Sequence, residues 1–233
     1  MGARELIALE METLWGSDAR GRVLPAHHLV AGVTADAVVV RYGSSVPDEL
    51  VARLGALTPD PTNIAPFLAQ CQQLLDSRYG STVLNSGPGY LIPEGLTYES
   101  DADFVDSRAP RSLPCPDTWP SDEWQELLAG NLGPWAVAVT DDDRVAAVAH
   151  MPASNERAAE IGIETHPDFR GRGLAAATTA RWAEVAKGRT LFYSTSADNR
   201  SSQRVAERLG LEQLGWLWKL SHPDQSGTHA GRR

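Results

Sequence analysis

Residues 160–176 read Glu-Ile-Gly-Ile-Glu-Thr-His-Pro-Asp-Phe-Arg-Gly-Arg-Gly-Leu-Ala-Ala, and this stretch constrains the chain most. Ile161 and Ile163 alternate with other residues at the period of a strand. Pro167 and Asp168 then break it. Gly171 and Gly173, flanked by Arg170 and Arg172, open a helix expected over 173–187. A strand, a basic glycine loop and a helix N-terminus together make an anion site. Backbone N–H groups at a helix start lack intrahelical partners, the dipole end is positive, and glycine lets a phosphate approach the main chain. The ligand implied is a phosphate-bearing cofactor.

Two phosphate loops fail on context. A Walker loop needs Gly-Lys-Ser/Thr after its last glycine, but here Gly173 is followed by Leu174 and Ala175. Gly171, Gly173 and Ala176 do match G-x-G-x-x-G/A. That pattern starts a doubly wound domain, and too few residues follow to complete one. The next strand candidate, 190–193, also lacks an acidic residue at its end to hold a ribose, since Asp198 comes late.

Residues 170–175 (Arg-Gly-Arg-Gly-Leu-Ala) instead resemble the R/Q-x-x-G-x-G/A loop of the GNAT superfamily of N-acetyltransferases. A second motif follows one strand later. Asn199, Ser202, Val205, Gly210 and Leu211 occupy the positions of the family's N-x-x-S/A-x-x-(aliphatic)-x-x-x-x-G-(F/L) segment. The physics of the segment agrees. Asp198 or Asn199 can cap a helix, Val205 and Leu209 share a face, and Gly210 suits a left-handed stop.

The expected fold is α/β (α+β): a mixed, mostly antiparallel central sheet flanked by helices, with an N-terminal α/β region. Strands are expected at 135–139, 145–149, 159–165, 190–195 and 213–220, with helices at 173–187 and 200–209. Asp141, Asp142 and Asp143 make a hairpin turn between the first two strands. A helix at 122–128, capped by Ser121, supplies an upstream piece of the core. Toward the N-terminus, the first ten residues read as a short helix. Residues 38–42 and 89–93 read as strands, and 47–57 and 65–79 as helices, with Pro47 in the first turn of its helix. Pro110, Pro114, Pro116 and Pro120 mark 106–121 as a linker or an ordered surface loop. The division expected is 1–110 as an N-terminal region, 111–220 as the acetyltransferase core, and 221–233 as a disordered tail. The resemblance is to the branch of the family that carries extra sequence before the core, some of whose members acetylate amine-bearing antibiotics.

Lys plus Arg is 21 against 30 for Asp plus Glu, a net charge of −9. That balance argues against nucleic acid or an anionic membrane surface as partner and suits a cationic acceptor. No apolar run approaches the ~20 residues of a membrane span. The early acids of the N-terminus are unlike a signal peptide. Cys71 and Cys115 do not form a metal or redox pair and read as free thiols in a cytoplasm. No metal is expected. The strand near 213–220 offers an exposed edge through which a homodimer can form.

The resemblance implies acetyl-CoA as cosubstrate and a small-molecule amine as acceptor. Pantetheine would pair with backbone groups of Ile163, Glu164 and Thr165 in a gap between the strands ending at Thr165 and Thr195. Amides of Arg170, Gly171, Arg172, Gly173, Leu174 and Ala175 would take the pyrophosphate. Asn199 and Ser202 would touch the pantetheine arm or the acetyl end. Many members carry a general-acid tyrosine at the position that is Ala206 here. Another residue or water does that work, or the thiolate leaves unassisted; Tyr193, Ser194 and Ser196 are the candidate residues, although Tyr193 also suits the core. A sensor that binds CoA without turnover is the alternative.

For the base, Glu160 stands early in the central strand, where a buried carboxylate needs a partner or a raised pKa. It is either a base or half of a salt bridge. His150 and His166 can relay a proton near neutral pH, or serve structure only. His27 and His28 have no partner legible in sequence. Asp101, Asp103 and Asp106 read as a solvated loop or an amine-binding mouth. Trp119 and Trp124 read as an acceptor wall or as core.

Overall fold

Alternating apolar residues and well-placed glycines build most of the elements seen in the computed structural model, which describes residues 1–223. The first half of the chain holds α1 (Ala3–Trp15), β1 (Leu29–Val33), β2 (Val38–Tyr42), α2 (Asp48–Gly55), α3 (Ala65–Tyr79), β3 (Val83–Ile92), β4 (Asp103–Asp106) and α4 (Ser121–Leu128). The second half holds β5 (Ala136–Val139), β6 (Val145–Ser154), β7 (Ala158–Thr165), α5 (Leu174–Val185), β8 (Thr190–Ser194), α6 (Arg200–Arg208) and β9 (Glu212–Ser221). A 3-10 turn at Pro167–Phe169 follows β7.

Two compact units result. The first comprises Met1–Tyr90, Ser194–Asn199 and the described residues from Gln213 onward. Its strands run in the order β2-β1-β9-β3. The α2 and α3 helices cover one cluster, with Leu50, Leu54, Phe67, Leu68 and Leu75 packed on Leu29, Ala31 and Leu220. Helix α1 places Ile7 and Met11 on Val30, Val39 and Leu217. Strand parity explains the two layers, since Leu29 and Ala31 face opposite to Val30. His27 and His28 find partners here. His27 Nδ1 is 2.7 Å from Ser221 Oγ, and the His28 ring stacks on Tyr79 at 4.1 Å.

The second unit comprises Leu91–Tyr193 and Arg200–Glu212, with strand order β8-β7-β6-β5-β4. Neighbours are antiparallel except β7 and β8, which are parallel. One face carries Val105, Val137, Val139 and Val148 under Trp124 and Leu127 of α4. The other carries Ala136, Ala138, Ala147 and Ala149, small enough for the alanine-rich α5 to lie close. Trp182 on α5 donates its indole N–H to Pro134 O at 2.9 Å.

The fold class is as expected, and several details differ. Strand β4 occupies ground read as an acidic loop. Its Asp106 is 4% exposed and is held by Arg108 at 2.9 Å and Arg181 at 2.8 Å, so it lines no open mouth. Ser121 does not cap α4; Pro120 stands at the N-cap and Ser121 is the first helical residue. Strand β1 had no reading in sequence. Strand β9 lies between β1 and β3, so it has no free edge for pairing with another subunit. Residues 107–120 hold no helix or strand yet are ordered by Leu113, which is buried and accepts the Trp124 indole N–H at 3.2 Å. Most of the tail expected at 221–233 lies outside the described residues.

Candidate active site

Strands β7 and β8 part inside the second unit. They are in parallel register at Ala158↔Thr190, Ala159↔Leu191 and Glu160↔Phe192, and no pair follows. Strand β7 runs on through Ile163, Glu164 and Thr165, still paired with β6 through Ala147↔Thr165. The three residues expected to meet pantetheine therefore lie on the stretch of β7 that has left β8.

The glycine loop begins where β7 ends. Gly171 and Gly173 both hold positive φ, +79° and +80°, a region costly for any residue with a Cβ. Gly173 is the N-cap of α5, so the first amides of Leu174 and Ala175 point out of the helix end. Arg170, Gly171 and Arg172 are exposed, while Gly173, Leu174 and Ala175 are half-buried. Arg170 Nε donates to Thr165 O at 3.4 Å, and Arg172 donates to Asp168 O at 3.2 Å. Phe169 is buried beneath, with the Arg144 and Arg172 guanidiniums 4.8 and 5.3 Å from its centroid.

Sequence reading missed three contributors to this end of the unit. Arg144 comes from the β5–β6 turn and pairs with Asp168 at 3.0 Å. Arg208 on α6 and Tyr98 on the 93–102 segment converge on Gly173. A Cβ there would lie 3.2 Å from Arg208 Nη1 and 3.3 Å from Tyr98 Oη. No periodicity links these positions to the loop. A cavity of about 430 Å³ opens beside them, lined by Tyr98, Asp101, Thr140, Phe169, Arg172 and Leu174. Free amides, two obligate glycines and this set of arginines fit a phosphate-bearing ligand.

The α4 side of the sheet is different in character. Glu160, Gly162 and Glu164 share that face of β7 by alternation, and the register His150↔Gly162 puts His150 there too. Glu160 is 3% exposed. His150 is half-buried, and burial pushes its imidazole down to about 4, so it is neutral at pH 7. Trp119 meets the ring edge-on at 5.2 Å and Trp124 at 5.7 Å, while Trp124 is wholly buried. His166 sits apart from this group. Its Nδ1 accepts the Asp168 N–H at 3.3 Å and its Nε2 faces Asp117 at 3.2 Å.

The expected acid candidates divide. Tyr193 is 1% exposed, and its hydroxyl is 2.7 Å from Ser202 Oγ and donates to Ser202 O at 3.1 Å. Tyr193 thus joins β8 to α6, and Ser202 has its hydroxyl engaged from below. Ala206 is wholly buried. Ser196 and Asn199 belong to the first unit's 194–199 segment, Ser196 half-buried and Asn199 exposed. Gly210 ends α6 at φ +63°, with Leu211 N–H on Ala206 O and Gly210 N–H on Glu207 O, the Schellman pattern.

Residues 122–215 match the GNAT acetyltransferase family model. No functionally curated protein shows significant similarity to the chain. Among solved structures, a GCN5-related N-acetyltransferase from Kribbella flavida aligns over 95% of both chains at 13% identity and TM-score 0.49. A putative GNAT-family acetyltransferase from Novosphingobium aromaticivorans aligns over 60% of this chain and 67% of its own, at 20% identity and TM-score 0.43. A phosphinothricin acetyltransferase from Sinorhizobium meliloti, in complex with AcCoA, aligns over 44% of this chain and 71% of its own, at 17% identity and TM-score 0.34.

Proposed function

We propose that the chain, whose residues 122–215 match the GNAT acetyltransferase family model, is an acetyl-CoA-dependent N-acetyltransferase with a small-molecule amine as acceptor. The observation that carries this reading is the parting of β7 from β8 after Glu160↔Phe192, directly ahead of the Gly171–Gly173 loop. A strand that leaves its neighbour frees backbone groups for an extended arm, and the helix start beyond it suits a pyrophosphate. In this reading Ile163, Glu164 and Thr165 pair with pantetheine, the amides of residues 170–175 take the pyrophosphate, and Ser202 lies along the arm. The amine attacks the thioester directly, with no covalent intermediate on the enzyme. A cytoplasmic location belongs to the same proposal; the free thiols of Cys71 and Cys115 support it. Among the described residues no helix is long and apolar enough to cross a membrane.

One observation favours a second reading, a CoA-binding module without turnover. Ala206 fills the position of the family's acid, and the nearby Tyr193 hydroxyl is held by Ser202. Calorimetric titration with acetyl-CoA, CoA and NADH, followed by thiol release over an amine library, tests both. Binding of acetyl-CoA with thiol release supports the transferase. Binding without release supports the module, and no binding of acetyl-CoA overturns both.

A further inference from the structure

We propose that His150 is the general base that takes the proton from the acceptor amine, an inference that rests on the acetyltransferase reading above. Its ring leans across β7 rather than standing over its own strand. A Cβ built on Gly162 would lie 2.8 Å from His150 Cε1 and 2.9 Å from Cδ2, and closer still to Nε2. Gly162 is therefore the notch that lets the imidazole reach over β7. The notch lies two residues beyond Glu160, the last residue of β7 in register with β8. The ring thus extends over the part of β7 that has separated, where the thioester is placed by the proposed function.

Its surroundings keep the imidazole available. Trp119 packs edge-on against the ring, with centroids 5.2 Å apart. The titratable groups on the same face of β7 are Glu160 and Glu164, and Trp119 brings no charge. Burial keeps the ring uncharged at neutral pH, so a nitrogen lone pair is ready to accept. The amine nitrogen forms a bond to the thioester carbonyl carbon, the carbon–sulfur bond breaks with its electron pair going to sulfur, and the amine proton passes to His150. The imidazolium then returns that proton to the thiolate or to water.

The experiment compares the wild-type full chain with His150→Gln and His150→Ala, using phenethylamine, putrescine and triglycine as acceptor probes. Acetyl-CoA affinity is measured by calorimetry on each variant, which also checks folding. The expected result is a fall in kcat of about 100-fold for His150→Gln with acetyl-CoA affinity unchanged, and partial recovery of His150→Ala by added imidazole. A kcat within about threefold of wild type overturns the base, because removing a general base costs far more. A second measurement needs no acceptor. Diethylpyrocarbonate modifies neutral imidazoles, and saturating acetyl-CoA is expected to protect His150 from modification relative to the free chain. Unchanged modification places the ring away from the acetyl group and overturns the base while leaving CoA binding intact. Failure of the wild-type chain to bind acetyl-CoA overturns the acetyltransferase reading itself, and the base with it.

Discussion

The hydroxyl of Tyr193 lies 2.7 Å from that of Ser202, at a site where Tyr193 is 1% exposed. This pairing ties β8 to α6 and makes the tyrosine a packing element with one polar tip. Tyr193→Phe is expected to cost about 1 kcal/mol in stability, the net worth of a buried neutral hydrogen bond. It should leave kcat for thiol release within about threefold, short of the loss that follows removal of a general acid. Urea melts and steady-state assays on the same preparation check the pair of outcomes. A loss of about 100-fold in kcat would instead make Tyr193 the acid.

The loop can be tested at Gly173. Its φ of +80° and the closeness of Arg208 and Tyr98 both oppose a side chain. Gly173→Trp is expected to abolish detectable CoA binding in calorimetry. Gly173→Ala is the milder probe, with a stability cost of about 1–2 kcal/mol from left-handed strain. Unchanged CoA affinity in the tryptophan variant would remove this loop from the site.

Gly162→Ala tests the notch under His150. The added methyl group cannot coexist with the ring where it stands. The ring must swing off β7, with an overpacking cost of about 1–3 kcal/mol in stability. Thermal melts read the cost. Thiol release should fall along with it while calorimetric acetyl-CoA affinity holds.

Acid should weaken the first unit through His27. Burial, then Lys219 and then His28, push its imidazole from 6.5 down to about 4. The folded pKa lies below the unfolded one, so the unfolded chain binds the proton more readily. Stability is therefore full above pH 6.5 and is lost as pH falls from 6.5 toward 4. At pH 5 the loss assigned to His27 is on the order of 2 kcal/mol by linkage. Urea midpoints at pH 7 and pH 5 measure it, and His27→Gln should shrink the difference by that amount, leaving the part that the buried His28 and His150 imidazoles contribute. An equal drop in that variant would assign the acid sensitivity elsewhere.

Asp106 anchors the second unit. Its carboxylate, 4% exposed, holds Arg108 and Arg181, whose side chains are 40% and 37% exposed. Asp106→Ala is expected to destabilise by about 1–3 kcal/mol, below the figure for a fully buried pair because water reaches both arginines. Denaturant midpoints check this, and CoA binding should be spared.

Local signals were the ones legible in the chain. Strand β7, the glycine loop, α5 and the Gly210 stop each depend on residues within one turn or one strand of each other. Alternation, obligate positive φ and a Schellman cap leave marks in consecutive positions. The same marks carried the family resemblance, so the fold class came with them. Strand β4 and the role of Asp106 did not. An aspartate reads as loop until Arg181, far along the chain, is known to neutralise it. Arg144, Arg208 and Tyr98 reach the loop from three other segments for the same reason. His150 shows the division most clearly. The sequence alone determined that a histidine ends an apolar run and that a glycine lies within a later strand. Only the antiparallel register His150↔Gly162 decided that the imidazole lies in the glycine's notch, because register is set by the packing of whole strands and not by either residue.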